Sequence, residues 1–237
     1  MMPVQLVSDY NREGGPLTGG EMPPGLLMAE ANHRIANNLT LIAGWLRLQS
    51  RDVNKDGRPL SAREACNLLE EAGSRIETVG RLHRLLAHSG QAATLELRQY
   101  LHDVAEAAID SMSVPGVTTL ERMPSAACQI PTHHALSVGF IVGELVTNAV
   151  KYAHPAGVSG RVELSCHRRP GGATLIQIVD DGVGLPEDFD PRKDGGLGLR
   201  MVRTLADQLG ATLTFDSAGF GLAVGLLLPP YGLVSAA

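Results

Sequence analysis

The chain has 237 residues and a mass of 25.1 kDa, which suits one large domain or two small ones. Hydrophobic residues make up 44% of it and charged residues 19%, so an extended disordered chain is excluded. Because 20 Lys and Arg stand against 25 Asp and Glu, the net charge is −5, and no overall positive field exists to attract a nucleic acid or an anionic membrane. We therefore expect a globular protein with neither as a partner.

The cysteines and the N-terminus indicate a compartment. Cys66, Cys128 and Cys166 are odd in number, far apart and without Cys-x-x-Cys spacing, which argues against a disulfide framework or a zinc site. The N-terminus lacks the pattern of a signal peptide, and no window approaches the run of about 18 apolar residues that a membrane span needs. These features predict a cytoplasmic protein.

The first part of the chain reads as a tail followed by a helical hairpin. Residues 1–21 show no periodicity and predict a flexible tail. A helical pattern then runs to about Arg51, breaks over 52–59, and restarts at Ser61, where Ser61 and Glu64 form an S-x-x-E capping box. The second helix ends near Gly90, so we predict a hairpin over residues 22–90.

The apolar positions of this hairpin predict a dimer. The second helix carries one seam, formed by Leu69, Ala72, Ile76, Val79 and Leu86. The first helix carries two stripes about 120° apart, one formed by Ile35, Leu39, Ile42 and Leu46 and the other by Leu41, Trp45 and Leu48. One stripe can face the second helix and the other a second copy, which predicts a homodimer with a four-helix bundle. The alternative is packing of the second stripe against the C-terminal half.

Residues 91–237 mix helices with strands and predict an α/β sandwich, so the whole chain is of the α+β class. Helices are predicted over 95–112, 132–152 and 197–209. Strands are predicted over 117–120, 127–130, 161–168, 173–180, 211–215 and 222–228.

Three motifs in this half carry chemistry. Glu144, Asn148 and Lys151 stand at i, i+4 and i+7 of an otherwise apolar helix, so they share one face. The Glu144 carboxylate and the Asn148 amide oxygen suit Mg²⁺, and Lys151 suits a phosphate. The alternative is a merely solvated stripe.

The second motif is a strand that runs into Asp180, Asp181, Gly182, Val183 and Gly184. A carboxylate fixed at Asp180 can accept a hydrogen bond from an exocyclic amine such as that of adenine, and Gly182 and Gly184 let the backbone pass close to a flat ring. An ordinary turn is the alternative.

The third motif, Gly195-Gly196-Leu197-Gly198-Leu199, places glycines at the start of a helix, where free N–H groups can hold phosphates. It is no Walker A motif, because no Gly-Lys-Ser/Thr follows.

In this order the motifs resemble the N, G1 and G2 boxes of the Bergerat-fold ATPases, which include histidine kinases, Hsp90-type chaperones and MutL-type repair proteins. The segment from Glu30 to Leu39 (EANHRIANNL) is similar to the phosphoacceptor box of bacterial two-component histidine kinases. Its H-R-x-x-N form points to HisKA type 2, and the W-x-E element of the related HWE kinases is absent. The resemblance covers about residues 25–230. It implies ATP and Mg²⁺, with a nucleotide site formed by Asn148, Lys151, Asp180, Gly182, Gly184, Gly196, Leu197 and Gly198.

His33 is the phosphoacceptor that this resemblance implies. Its direction lies opposite the stripe that contains Ile35 and Leu39, so it is not a core histidine. At neutral pH much of its imidazole is neutral, which leaves a ring nitrogen free to attack a γ-phosphoryl group. Glu30 and Asn37 lie within about 60° of it on the helix, so Glu30 is placed to take a proton and Asn37 to orient a water.

Some residues depart from the family pattern. Ala36 and Thr40 stand where the family usually has Lys and Gln, and only about ten residues separate Pro186 from Gly196, which predicts a short ATP lid. The leading interpretation is a kinase that phosphorylates itself on His33 and passes the phosphoryl group to an Asp of a response-regulator receiver domain. A response-regulator phosphatase or phosphotransferase and a non-catalytic signalling adaptor are the alternatives. No sensor domain is recognised, so a signal would come through a separate protein, unless the chain is a fragment or a constitutive enzyme.

Overall fold

The fold is known from a computed structural model that describes residues 43–44, 46–47, 50, 60–88, 93–112, 118–122, 127–154, 158–217 and 220–231. Contacts within the chain divide it into residues 1–37 and 38–237, and every described residue belongs to the second unit. His33, Glu30 and Asn37 therefore lie outside the described residues, as do most positions of the two predicted stripes. The few described positions between 43 and 50 are helical.

Four α-helices and seven β-strands follow in chain order within the described residues. The helices are α1 (Ala62–His88), α2 (Leu97–Asp110), α3 (Thr132–Tyr152) and α4 (Leu197–Gln208). The strands are β1 (Thr94–Glu96), β2 (Thr118–Arg122), β3 (Gln129–Pro131), β4 (Gly160–Arg168), β5 (Thr174–Asp180), β6 (Thr212–Asp216) and β7 (Leu222–Leu228). The predicted α+β class is confirmed.

The main sheet has five strands in the order β2-β4-β5-β7-β6, in which β2 and β4 are parallel and all other pairs are antiparallel. Strands β1 and β3 form a separate antiparallel pair. Residues at alternate positions of β4 and β5 are buried, among them Val162, Leu164, Ile176 and Ile178. They share one apolar core with residues of α2, α3 and α4, so the sheet buries a single face against helices.

Helix α1 begins at the predicted capping box. The Ser61 N–H donates to Glu64 Oε2 over 2.8 Å, and the Glu64 N–H donates to Ser61 Oγ over 3.3 Å. Each residue thus satisfies a backbone donor of the other at the start of the helix, where no intrahelical partner exists. This fixes the first turn of α1 just before its apolar positions begin.

The predicted seam of α1 is buried at its C-terminal end and exposed nearer its N-terminal end. Val79 and Leu86 are buried in the core together with residues of α2 and α3, whereas Ile76 is exposed and Leu69 is 72% exposed in the single chain. The C-terminal half of α1 therefore packs on the α/β part, and its N-terminal half presents apolar side chains to the surroundings. None of the helices among the described residues is both long and apolar enough to cross a membrane.

Candidate functional site

The second predicted motif lies at the end of the central strand. Asp180 is the last residue of β5, between β4 and β7, and it is only 7% exposed. Its Oδ1 accepts hydrogen bonds from the Gly182 N–H (3.0 Å) and the Leu222 N–H (3.2 Å). Within the described part of the chain, Oδ2 receives no hydrogen bond from a protein group. The backbone thus fixes one carboxylate oxygen, and the other has no protein donor among the described residues.

Burial has the largest effect on the pKa of the Asp180 carboxyl group. Removal from water raises the pKa of Asp180 above its ordinary value, and the two backbone N–H donors lower it by a smaller amount. The next residue is held differently: Asp181 Oδ1 lies 2.7 Å from His154 Nε2 and accepts the Arg161 N–H over 2.8 Å. The hydrogen bond with His154 is the main reason that the pKa of Asp181 lies below its ordinary value. The adjacent carboxyls of Asp180 and Asp181 are therefore shifted in opposite directions.

The loop after Asp180 needs its glycines for two different reasons. A Cβ on Gly182 would overlap the backbone of Ala153, which directly follows α3, so this position has no room for a side chain. Gly184 has φ +73°, a backbone conformation that favours glycine. The Val183 N–H also donates to the Ala153 carbonyl (2.9 Å), so the end of α3 and this loop are held together.

The predicted lid is a short loop closed by its own hydrogen bonds. The Asp190 N–H donates to Asp194 Oδ2 and the Asp194 N–H donates to the Asp190 carbonyl, both over 2.8 Å. Arg203 of α4 donates to the carbonyls of Pro191 and Asp194, each over 2.8 Å. These contacts fix residues 190–194 to one another and to Arg203 in the middle of α4.

The third motif opens α4 as predicted. Gly195 has φ +95°, and Gly196 is the N-cap in an extended conformation with no side-chain cap. Leu197 and Gly198 are buried in the first turn. Because the first N–H groups of a helix have no carbonyl partner within it, this turn is suited to an anion.

Glu144 of the first motif, on α3, contacts the glycine motif that opens α4. A Cβ on Gly198 would overlap Glu144 Oε2, so the carboxylate of α3 lies directly against the first turn of α4. Asn148 is one turn further along α3 and half-buried, and Lys151 is exposed in the last turn. The three motifs therefore surround one region: Ala153 joins α3 to the Gly182 loop, and Glu144 joins α3 to α4.

Two partners in this region were missed by the sequence prediction. Arg75 of α1 donates through Nη1 to Glu144 Oε1 and forms an ion pair with it. His154 was given no role, yet it holds Asp181. Arg75 is 69 positions from Glu144 and His154 is 27 from Asp181, so no local pattern connects them.

Comparison with known proteins gives the class. The HisKA_2 family model, described as histidine kinase, matches residues 30–112. A second model, described as histidine kinase-, DNA gyrase B- and HSP90-like ATPase, matches residues 134–231. A solved histidine kinase domain from the Erythrobacter litoralis EL346 blue-light activated histidine kinase is 30% identical, with a TM-score of 0.61 over 85% of this chain and 92% of that one.

The chain therefore belongs to the histidine kinase family, and the class of enzyme predicted from the sequence is confirmed. The second match supports the use of ATP by residues 134–231.

Among curated proteins, blue-light-activated histidine kinase 2 of Erythrobacter litoralis is 29% identical over 85% of this chain and 56% of its own length. Sensor histidine kinase PdtaS of Mycobacterium tuberculosis is 30% identical over 74% of this chain and 33% of its own length. The chain thus spans between about a third and somewhat over half of the length of these relatives.

Proposed function

We propose that this chain is an ATP-dependent protein-histidine kinase that phosphorylates itself on His33 and then passes the phosphoryl group to an aspartate of a response-regulator receiver domain. The observation that carries the proposal is the Asp180 carboxylate, buried at the end of β5 with Oδ1 fixed by two backbone N–H groups and Oδ2 left without a protein donor. An exocyclic amine such as that of adenine donates to such an oxygen.

The residues around Asp180 suit the rest of a nucleotide. Gly182 and Gly184 allow the backbone to lie close to the adenine ring, and Gly196, Leu197 and Gly198 present the N-terminus of α4 to the phosphates. Lys151 is exposed in the last turn of α3 and is proposed to meet a phosphate.

The donor set of α3 fits Mg²⁺. Glu144 and Asn148 offer a carboxylate and an amide oxygen on one helix face, and Mg²⁺ in nucleotide sites is usually held by one or two protein ligands together with phosphates. When bound there, the ion would neutralise charge on the phosphates. No group of three or more His, Cys, Asp or Glu suited to a metal occurs among the described residues. A nucleotide-dependent Mg²⁺ site needs no such group.

His33 supplies the nucleophile in the proposed reaction. Its neutral imidazole attacks the γ-phosphorus of ATP, a nitrogen–phosphorus bond forms, and the bond to the β,γ-bridging oxygen breaks with release of ADP. Glu30 takes the imidazole proton, and Asn37 is placed to orient a water, which in the phosphatase alternative would remove the phosphoryl group from the regulator. Positioning and charge neutralisation provide most of the rate.

We also propose domain limits at residues 21 and 90, a homodimer, a separate sensor protein as the source of the signal, and a cytoplasmic location. The relatives' names support the class of reaction, and this chain covers only part of their length.

Incubation of the purified full chain with Mg²⁺ and ATP labelled in the γ-phosphate tests the proposal. We expect label retained on the protein, and none with ATP labelled in the α-phosphate. Absence of retained label, with nucleotide binding intact, would favour the phosphatase or phosphotransferase alternative. A chain that binds no nucleotide would support the adaptor.

A further inference from the structure

Arg75 reaches the candidate nucleotide site from outside the α/β part. It lies on α1, the second helix of the proposed phosphoacceptor hairpin, and its Nη1 donates to Glu144 Oε1. The side chains of Arg75 and Glu144 are only 19% and 12% exposed. The pair is therefore largely shielded from water, unlike an ordinary surface ion pair.

The guanidinium group also lies beside the turn proposed to hold phosphates. A Cβ on Gly198 would come within 3.2 Å of Arg75 Nη2, and Gly198 is in the first turn of α4. Arg75 Nε is buried and makes no hydrogen bond within the described residues. The cation is thus within reach of any anion bound at the N-terminus of α4, and it has an unused donor.

Apolar contacts fix the helix that carries Arg75. Val79, Leu82 and Leu86 of α1 are buried in the common core, and a Cβ on Gly139 of α3 would come within 3.0 Å of Leu82 Cδ2. Arg75 is one turn before Val79. It therefore stands at the end of the contact between α1 and α3 that faces the nucleotide site.

Two anions would compete for this cation. Glu144 holds Arg75 in the structure, and a triphosphate at the start of α4 would bring several negative charges to the same place. Guanidinium groups bind phosphates and carboxylates with the same planar fork of donors.

We propose that Arg75 is a nucleotide-binding residue that exchanges Glu144 for a phosphate of the bound nucleotide, and so couples occupancy of the site to the contact between α1 and α3. The proposal rests on the function proposed above. In the exchange Arg75 breaks its ion pair and donates to a phosphate oxygen, and the Glu144 carboxylate is released for its proposed role beside Asn148. Coupling of this kind is reciprocal, so the ion pair opposes nucleotide binding as much as the nucleotide opposes the ion pair.

Binding of ATP to the full chain in the presence of EDTA tests the exchange without metal and without turnover. Glu144→Gln removes the competing anion, so we expect it to strengthen metal-free ATP binding about tenfold. In an Arg75→Gln background the same change should have a much smaller effect, because the cation that Glu144 withholds is gone. Arg75→Gln alone should weaken ATP binding about tenfold, because the phosphate then loses the guanidinium group that would donate to it after the exchange.

Adenosine and two further variants separate exchange from structural damage. Adenosine has no phosphate, so its affinity should be equal in the wild type, Glu144→Gln and Arg75→Gln. Arg75→Lys keeps the charge without the fork and should give an ATP affinity between those of Arg75→Gln and the wild type. Arg63→Gln removes an exposed arginine from the first turn of the same helix and should match the wild type.

An equal effect of Glu144→Gln in both backgrounds would overturn the exchange, as would parallel losses of ATP and adenosine affinity. A wild-type chain that binds neither ligand would instead remove the proposed nucleotide site itself. The two failures are therefore distinguishable.

Discussion

Asp180 combines three properties that one side chain rarely has together. It is buried, it is ionisable, and one of its oxygens is fixed by backbone N–H groups from two different parts of the chain. Burial of a carboxylate costs free energy unless hydrogen bonds compensate it. The Gly182 and Leu222 N–H groups provide part of that compensation, and we propose that adenine provides the remainder.

The first prediction concerns Asp180→Asn. An asparagine has one acceptor oxygen, and the two backbone N–H groups would hold that oxygen, which turns the NH₂ group toward the adenine amine. Two donors then face each other, so nucleotide binding should weaken by about 1–3 kcal/mol. Calorimetry measures this directly. An unchanged affinity would remove Asp180 from adenine recognition.

The second prediction concerns pH. Because burial raises the pKa of Asp180, its carboxylate protonates at a higher pH than an ordinary Asp, whose value is 3.8. Nucleotide affinity of the wild type should therefore fall on acidification before an ordinary Asp would titrate. The ratio of wild-type to Asp180→Asn affinity isolates this group, since adenine titrates equally in both experiments.

The contribution of Asp180 to the stability of the fold should depend on pH in the opposite direction from its contribution to nucleotide binding. A pKa that is higher in the folded state means that folding favours the protonated form, so this contribution to stability is complete below 3.8 and is lost as the pH rises through the folded-state value. Urea unfolding of the wild type and of Asp180→Asn across this range measures the difference. A contribution that grew with pH would contradict the raised pKa.

At the scale of elements, local patterns predicted most helices and strands. The bounds predicted for α3, 132–152, are those observed, because a continuous apolar pattern extends between His133 and Tyr152. The capping box of α1 is also confirmed. Strand β1 was missed and assigned to the following helix, because three residues are too few to show an alternation.

Contacts between residues far apart in the chain could not be predicted, because no local sequence pattern indicates them. The parallel pairing of β2 with β4, the return of the Leu222 N–H to Asp180 and the docking of α1 on α3 all join residues far apart in the chain. The three nucleotide motifs were recognised because their order and residue types carry chemistry. Arg75 was missed because an arginine within an amphipathic helix looks like any solvated charge.

The third prediction tests the junction between α3 and the loop after β5. Gly182→Ala places a methyl group against the backbone of Ala153, where no flexible side chain can move aside. We expect a loss of stability of about 1–3 kcal/mol, as for overpacking elsewhere, together with weaker nucleotide binding. Thermal and urea unfolding measure the first effect.

Gly73→Ala is the matched control for this substitution. Gly73 lies within α1, and among the described residues no atom beyond the nearby backbone of its own helix lies within 4 Å of a Cβ built there. The same methyl group should stabilise the protein there by up to about 1 kcal/mol through helix propensity. If both substitutions had the same effect, the close packing at Gly182 would be wrong.

At the scale of the whole molecule, α1 leaves apolar side chains uncovered. Leu69 and Ile76 lie seven residues apart on one face of α1 and are both exposed in the single chain. Burial of such a side chain is worth about 1.5–3 kcal/mol. The proposed homodimer, in which hairpins of two copies form a four-helix bundle, would supply this burial.

The fourth prediction tests that dimer. Leu69→Glu combined with Ile76→Glu places charges in the proposed interface, so light scattering should show a mass near 25.1 kDa for the variant and twice that for the wild type. Trp45→Glu combined with Leu41→Glu should act in the same way from the first helix. Ser74→Glu, on another exposed face of α1, should leave the dimer intact. A wild-type mass of one chain at micromolar concentration would refute the bundle.

The central claim is that His33 carries the phosphoryl group, and its most direct test is the location of label after incubation with Mg²⁺ and γ-labelled ATP. The wild type should retain label in an acid-labile, base-stable form, as expected for phosphohistidine. His33→Ala should retain none while it folds and binds nucleotide normally, because the helical pattern predicts an imidazole that faces away from the apolar stripe and so contributes little to a core. His133→Ala, which removes an exposed histidine from α3, should keep the label. Acid-labile label that remained on His33→Ala would contradict the account.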